Sequence, residues 1–336
     1  TNGRKYLDFV AGVSACGLGH CHPKVVKAIK KQLKKYLHVM VYGEYVQKPA
    51  VKLTKLLASQ LPHSLQTTYL VNSGTEAIEG AMKLARRATN RTEIIYAHNA
   101  YHGNTMGAMS VMGYEERKKA FEPLIPDCHP IWFNEDSDLQ KITNSTAAVL
   151  LETIQGGAGF ILPTNDYLKK VRKKCTQTGT LLILDEVQPC FGRTGKLFGF
   201  EHFDIVPDIL VTGKGMGGGL PIGAFTASKK LMSQLQSDPE LGHITTFGGN
   251  PVIASAALAT LKVLLTTDLI AKTQQKEKLF RRLLKHSLIT EVRGKGLMLA
   301  ILMESADIAS EVILKCQERG LLLFWLLYES RAVRIT

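Results

Sequence analysis

The lysine at position 214 sits in an unusual setting. The run Thr212-Gly213-Lys214-Gly215-Met216-Gly217-Gly218-Gly219-Leu220-Pro221 places it among five glycines, directly after the apolar Asp208-Ile209-Leu210-Val211. Each glycine gives up more backbone freedom on folding than any other residue, so such a cluster implies a sharp bend or a close approach. A lysine held there is a candidate amine nucleophile, able to form a Schiff base with a carbonyl if its charge is suppressed. Taken alone, the run also reads as a flexible surface loop. The phosphate-binding pattern Gly-x-x-x-x-Gly-Lys-Ser/Thr is absent, because Met216 follows Lys214-Gly215.

Two further stretches give Lys214 a context. Asp185 ends the apolar run Leu181-Leu182-Ile183-Leu184 and opens Asp185-Glu186-Val187-Gln188. An acid at the carboxyl end of a parallel strand lies where open α/β sheets bind ligands, and it can keep a pyridinium nitrogen protonated. In isolation such an aspartate is more commonly a cap or loop residue. Asn72-Ser73-Gly74-Thr75-Glu76-Ala77 joins a strand to a helix. Its hydroxyls and free N–H groups suit a phosphate, or plain N-capping by Ser73 or Thr75. Tyr101, in Tyr101-His102-Gly103-Asn104-Thr105, can stack on a planar ring or simply pack in its loop. Thr245-Thr246-Phe247-Gly248-Gly249-Asn250-Pro251 offers hydroxyls to a phosphate or caps a helix. A Schiff-base lysine, an acid for a ring nitrogen and a phosphate cup at one sheet edge fit pyridoxal 5'-phosphate. The G-x-G-x-x-G fingerprint of dinucleotide sites does not occur between a strand and a helix.

The elements that must position these residues alternate. Strands are expected at Thr67–Val71, Glu93–Ala97, His129–Phe133, Ala147–Leu151, Leu181–Leu184, Ile209–Val211 and Ile222–Thr226. Helices fit at Lys48–Gln60, Thr75–Ala88, Asp166–Gln177 and Val252–Leu265. Apolar strands separated by amphipathic helices describe an α/β domain with a largely parallel sheet covered on both faces. From about Ala271 the texture changes to a helix (Ala271–His286), strands Thr290–Arg293 and Leu297–Met303, a helix Asp307–Arg319 and strands Leu321–Leu323 and Ala332–Ile335, a small α+β domain. The expected division is 1–47 packing with the small domain, 48–270 as the large domain and 271–336 as the small one. The strand Tyr6–Val10 and the lysine-rich helix Lys24–Lys35 are expected beside the small domain.

Composition narrows the class. With 336 residues, 45% hydrophobic, the chain can bury a sizeable core. The longest apolar run near the end, Leu321–Leu327, is far too short to span a membrane. The opening reads as a turn into a strand, not a signal peptide. The six cysteines are scattered without C-x-x-C pairing, which points to reduced thiols in the cytoplasm, and no metal site is expected at His20-Cys21-His22. The +13 formal charge is spread over helix faces with no nucleic-acid motif, so attraction for anionic small substrates is the better inference. The chain starts at Thr1 and stops at Thr336 within a strand-like run, so both ends of a longer protein are expected to be missing.

Together these motifs resemble the class III (ω-type) aminotransferases of fold type I, which include acetylornithine, ornithine and 4-aminobutyrate aminotransferases. The likeness runs from Tyr6-Leu7-Asp8-Phe9 and Gly19-His20-Cys21-His22-Pro23 through Asn72–Ala77, Asp185–Gln188, Gly192-Arg193-Thr194-Gly195, Lys214 and Thr246–Pro251 to Arg334. It implies a pyridoxal-phosphate enzyme that moves an amino group from an amine or amino acid to an oxo acid such as 2-oxoglutarate or pyruvate. An aminomutase, racemase or decarboxylase is the alternative on the same scaffold. By resemblance, Lys214 holds the cofactor and shuttles the proton, and Asp185 pairs with the ring nitrogen. Val187 and Tyr101 flank the ring, and Gln188 approaches its hydroxyl. Ser73, Gly74 and Thr75 bind the phosphate, with Thr246 reaching it from the partner subunit of a homodimer. Arg334 and Glu152, with Thr245 nearby, belong to the substrate side.

Two departures are specific to this chain. Many acetylornithine-type members carry an arginine three residues after the stacking aromatic, where this chain has Asn104. Ornithine-type members often place a glutamate that gates the C-terminal arginine, where this chain has Gly157. The resemblance therefore implies an ungated Arg334 and a more open pocket beside it.

Overall fold

The computed structural model describes residues 3–40 and 44–336. In chain order the first elements are β1 (Leu7–Asp8), α1 (Ala11–Ser14), α2 (Pro23–Leu33), α3 (Lys48–Ala58), β2 (Thr67–Val71) and α4 (Gly74–Thr89). Then come β3 (Glu93–Ala97), α5 (Met106–Ser110), β4 (Cys128–Ile131), β5 (Thr146–Glu152), α6 (Tyr167–Thr178), β6 (Leu181–Asp185), β7 (Ile209–Gly213), β8 (Gly223–Ala227) and α7 (Lys229–Met232). The chain closes with α8 (Pro251–Thr266), α9 (Leu269–Leu283), β9 (Ile289–Lys295), β10 (Met298–Met303), α10 (Ala306–Glu318), β11 (Leu321–Leu322), β12 (Phe324–Trp325) and β13 (Ala332–Ile335).

The main sheet has seven strands in the order β2-β8-β7-β6-β5-β3-β4. β8 runs antiparallel to both of its neighbours, and the other pairs are parallel. Its strands are apolar throughout because both faces are covered. Ile95, Val149, Leu151, Leu182, Leu184 and Leu210 enter one core cluster. Ile94, Tyr96, Ala148, Leu150, Ile183, Ile209 and Val211, alternating with them, enter the cluster under α4. This is the period-two alternation of a strand with two dry faces.

α4 starts where Ser73 Oγ accepts the Glu76 N–H at 3.3 Å, and it ends at Asn90 in the left-handed region. Gly80 is required mid-helix, because any β-carbon there would collide with the Phe225 ring of β8. That close approach seats the helix on the sheet and fixes its N-terminus at the sheet edge.

A second, antiparallel sheet follows the order β12-β13-β10-β9. In β13, Val333 and Ile335 face one core cluster and Ala332 the other. β1 pairs in parallel with β11, joining the N-terminus to this part of the molecule. The lysine-rich helix behaves differently from expectation. α2 lies on α8, against the larger sheet's helices, because its apolar stripe, with Val25 buried, needs an apolar surface that α8 supplies.

Candidate active site

The parallel register brings the chemistry together. Glu152 ends β5 directly opposite Asp185 at the end of β6, and Asp185 pairs with Val211 of β7, three residues before Lys214. The backbone is extended at Gly213 and turns left-handed at Lys214, where φ is 40°. A side chain held in that region is strained, and such strain is kept where the surroundings over-determine it. Burial lowers the Lys214 pKa, and the charge of Arg334 adds to this, while Asp185 and Glu152 oppose it. The amine thus sheds its proton more readily than an exposed lysine does.

Asp185 is buried and bonded at both oxygens. Its Oδ2 lies 2.8 Å from His102 Nδ1, and its Oδ1 accepts the Val187 N–H at 2.9 Å. Glu152 accepts the N–H groups of Gly156 at 2.9 Å and Tyr101 at 3.2 Å, yet burial still raises its pKa to about 7. The residue after Asp185, Glu186, accepts from Thr153 Oγ1 at 2.8 Å and from the Gly199 and Phe200 N–H groups. Burial raises that carboxyl to about 7 as well.

Lys214, Asp185 and Glu152 face a cavity of about 1290 Å³, whereas Glu186 is not part of its lining. Gly74 and Thr75 form its edge at the N-terminus of α4, where the first N–H groups of a helix have no intrahelical partner. Val187 closes on Gly74 so tightly that an added β-carbon would lie 2.9 Å from a Val187 methyl. Gln188 lines the cavity and donates to Ser14 Oγ at 3.2 Å. On the far wall, Arg334 of β13 presents a buried guanidinium whose Nε has no partner among the described residues. Burial alone lowers its pKa to about 10.

Comparison with known proteins places this arrangement. The aminotransferase class-III family model matches residues 1–335. The chain belongs to the class III aminotransferase family. It is 41% identical over 335 residues to the acetylornithine aminotransferase of Clostridium acetobutylicum, covering 96% of this chain and 84% of that one. It is 38% identical to the [LysW]-aminoadipate semialdehyde/glutamate semialdehyde transaminase of Sulfolobus acidocaldarius, covering 95% and 82%. The ornithine aminotransferase of Toxoplasma gondii, in a structure with partial occupancy of pyridoxal phosphate at its active site, superposes with a TM-score of 0.91. It shares 30% identity and is matched over 99% of this chain and 81% of that one. The fold is accordingly fold type I, and the enzyme is a pyridoxal-phosphate-dependent aminotransferase.

The residues of this class III aminotransferase fit that cofactor. An amine with a lowered pKa, an acid at a strand end and a helix N-terminus meet in one cavity. His102 Nε2 is buried and unpartnered, as is Arg334 Nε, so the walls carry polar groups that no described protein atom satisfies.

Of the residues singled out in the sequence, Gly74, Thr75, Tyr101, Glu152, Asp185, Val187, Gln188, Lys214 and Arg334 all line the cavity. Ser73 caps α4 from just behind it. Thr245 and Thr246 do not line it. Thr245 Oγ1 accepts from Asn72 Nδ2 at 3.0 Å, and Thr246 is exposed. Gly157 lines the cavity together with Arg334, as expected, but the space directly over it is not open. The Tyr328 ring fills that space, 3.0 Å from where a β-carbon at Gly157 would stand, and the Tyr328 N–H donates to Gly157 O at 2.9 Å. His102 was missed as a partner of Asp185. Its signal lay in its place next to Tyr101, but only the fold shows that it turns towards Asp185.

Proposed function

We propose that this aminotransferase takes its amino group from a carboxylate-bearing amine and passes it to an oxo acid such as 2-oxoglutarate or pyruvate in a ping-pong sequence. ω-Amino acids of the acetylornithine and 4-aminobutyrate type are the first candidate donors. The observation that carries the reading is Arg334, a buried guanidinium without a counter-ion among the described residues, in the cavity that Lys214 and Asp185 line. A buried unpaired cation is costly, and a carboxylate bound in bidentate fashion relieves that cost. The names of the Clostridium and Sulfolobus relatives support donors whose amino group is remote from a carboxylate.

Bound pyridoxal phosphate supplies an electron-withdrawing ring that acidifies the donor carbon. In the proposed assignment, the N-terminus of α4 at Ser73, Gly74 and Thr75 holds the phosphate and Asp185 keeps a proton at the ring nitrogen. Val187 and Tyr101 confine the two ring faces, and Gln188 binds the ring hydroxyl. Lys214 anchors the cofactor and, once displaced by the donor, moves a proton from the donor carbon to complete the 1,3-transfer. Glu152, its pKa raised towards neutrality, stays beside the reacting groups without adding a full negative charge.

The working unit is proposed to be a homodimer in the cytoplasm. Thr246 is exposed and away from its own cavity, next to the exposed Phe247 and near the exposed Ile244. That placement supports its reaching a partner's phosphate site. All six cysteines are free thiols, which suits a reducing compartment.

A panel of amines and amino acids, each added to the holoenzyme without acceptor, tests the donor. A true donor converts the cofactor spectrum to the aminated form and releases an oxo product. An isomerised, racemised or decarboxylated product, with the cofactor spectrum unchanged, would overturn the transaminase mechanism proposed here.

A further inference from the structure

Arg334 is not the only guanidinium that lines the cavity. Arg117, in the turn Glu115–Arg117, stands at its mouth and is exposed. Among the described residues no carboxylate lies within ion-pair distance of it, since Glu115 pairs instead with Lys118 at 2.7 Å. Glu116 lines the same mouth without pairing to Arg117. The guanidinium is nonetheless held in place, 5.6 Å from the centroid of the Tyr328 ring. Tyr328 is itself fixed, stacked on Tyr114 at 4.7 Å and 11°, and bonded through its backbone to Gly157. An arginine resting on an aromatic face keeps its in-plane N–H donors free. Its charge acts on both Tyr101 and Tyr328, whereas of the two arginines it is Arg334 that acts on Lys214. Among the described residues the cavity lining thus holds two guanidiniums without an ion-pair partner, one buried and one exposed.

We infer that Arg117 is a specificity-determining residue that receives the second carboxylate of a dicarboxylic oxo acid whose first carboxylate is held by Arg334. The inference rests on the proposed role of Arg334 and selects between acceptors left open above. It favours 2-oxoglutarate over acceptors with one carboxylate. Asn104, which also lines the mouth, is neutral and cannot supply this charge. The same cation would draw the far carboxylate of a donor that bears one there.

The test compares acids of equal chain length on the holoenzyme. Calorimetry with glutarate and valerate, which do not react, should show a five- to tenfold preference for glutarate, about the value of a partly exposed charge-assisted bond. In Arg117→Ala that preference should fall to near one, and it should also shrink with added salt in the wild type. In turnover, the ratio of kcat/KM for 2-oxoglutarate over 2-oxovalerate should fall by the same factor. A wild type that does not distinguish the two acids, or an Arg117→Ala variant that keeps the preference, overturns the inference. Arg334→Ala examines the underlying reading separately. It should weaken both acids together, and wild-type binding of both by that variant would overturn the role of Arg334 rather than that of Arg117.

Discussion

The floor and the mouth of the cavity are built in opposite ways. On the floor, Asp185 and Glu152 end adjacent strands of a parallel sheet, and each carboxyl is bonded at both oxygens. At the mouth, Asn104, Arg117 and Gly157 stand on turns, and Tyr328 reaches across from the loop between β12 and β13. Floor groups are positioned by backbone register and by hydrogen bonds to both carboxyl oxygens. At the mouth, Arg117 and Tyr328 are positioned by side-chain stacking, which a single substitution can rearrange. The difference fits the proposed roles, with the chemistry on the floor and the choice of acceptor at the mouth.

If that division is right, the largest effects belong to the floor. Asp185→Asn keeps the shape but removes the negative charge proposed to face the ring nitrogen. Steady-state turnover should fall by about 10²- to 10³-fold with both dicarboxylic and monocarboxylic acceptors. A loss confined to one acceptor would dissolve the distinction between floor and mouth.

Two buried carboxyls, Glu152 on the floor and Glu186 next to Asp185 in the chain but outside the cavity lining, share a raised pKa. Each has a folded-state pKa of about 7, above the ordinary value of 4.5, so the folded protein holds these protons more tightly than the unfolded chain. Their stabilising contribution is complete below about pH 4.5 and is lost as the pH rises to about 7, about 3 kcal/mol for each at most. Denaturant titrations should therefore show the stability of wild type, relative to a Glu152→Gln, Glu186→Gln double variant, falling across that window. A difference that rises with pH would mean that both carboxyls are ionised in place.

At the mouth the expected effect is smaller and of a different kind. Gly157→Glu must push aside the Tyr328 ring, costing about 1–3 kcal/mol of stability as overpacking. It should also loosen the stack that supports Arg117, shifting acceptor preference more than kcat. Unaltered stability would show that the loop carrying Tyr328 yields freely, and that the mouth is softer than its stacking implies.

Legibility in the sequence follows the same line. Strands with two dry faces announce themselves as apolar runs, so β5, β6 and β7 and the acids and lysine at their ends could be placed from the sequence. Ser73 and Gly74 were readable because a helix start has local chemistry. Gly157 misled because its role depends on Tyr328, 171 positions further along the chain, and no local pattern connects the two. The packing of α2 on α8 was missed for the same reason, since an amphipathic stripe does not say which surface it covers. His102 and Arg117 needed the fold: one had to be seen turned towards Asp185, the other left without an acid.

The central claim is that Lys214 is the amine that carries the cofactor. Treating the holoenzyme with borohydride fixes pyridoxal phosphate to the lysine that bears it, and peptide mass spectrometry then locates the label. The account predicts the pyridoxyl group on Lys214, with no label and no visible cofactor absorbance in Lys214→Ala. A label on any other lysine, or a Lys214→Ala protein that retains both absorbance and turnover, would contradict it.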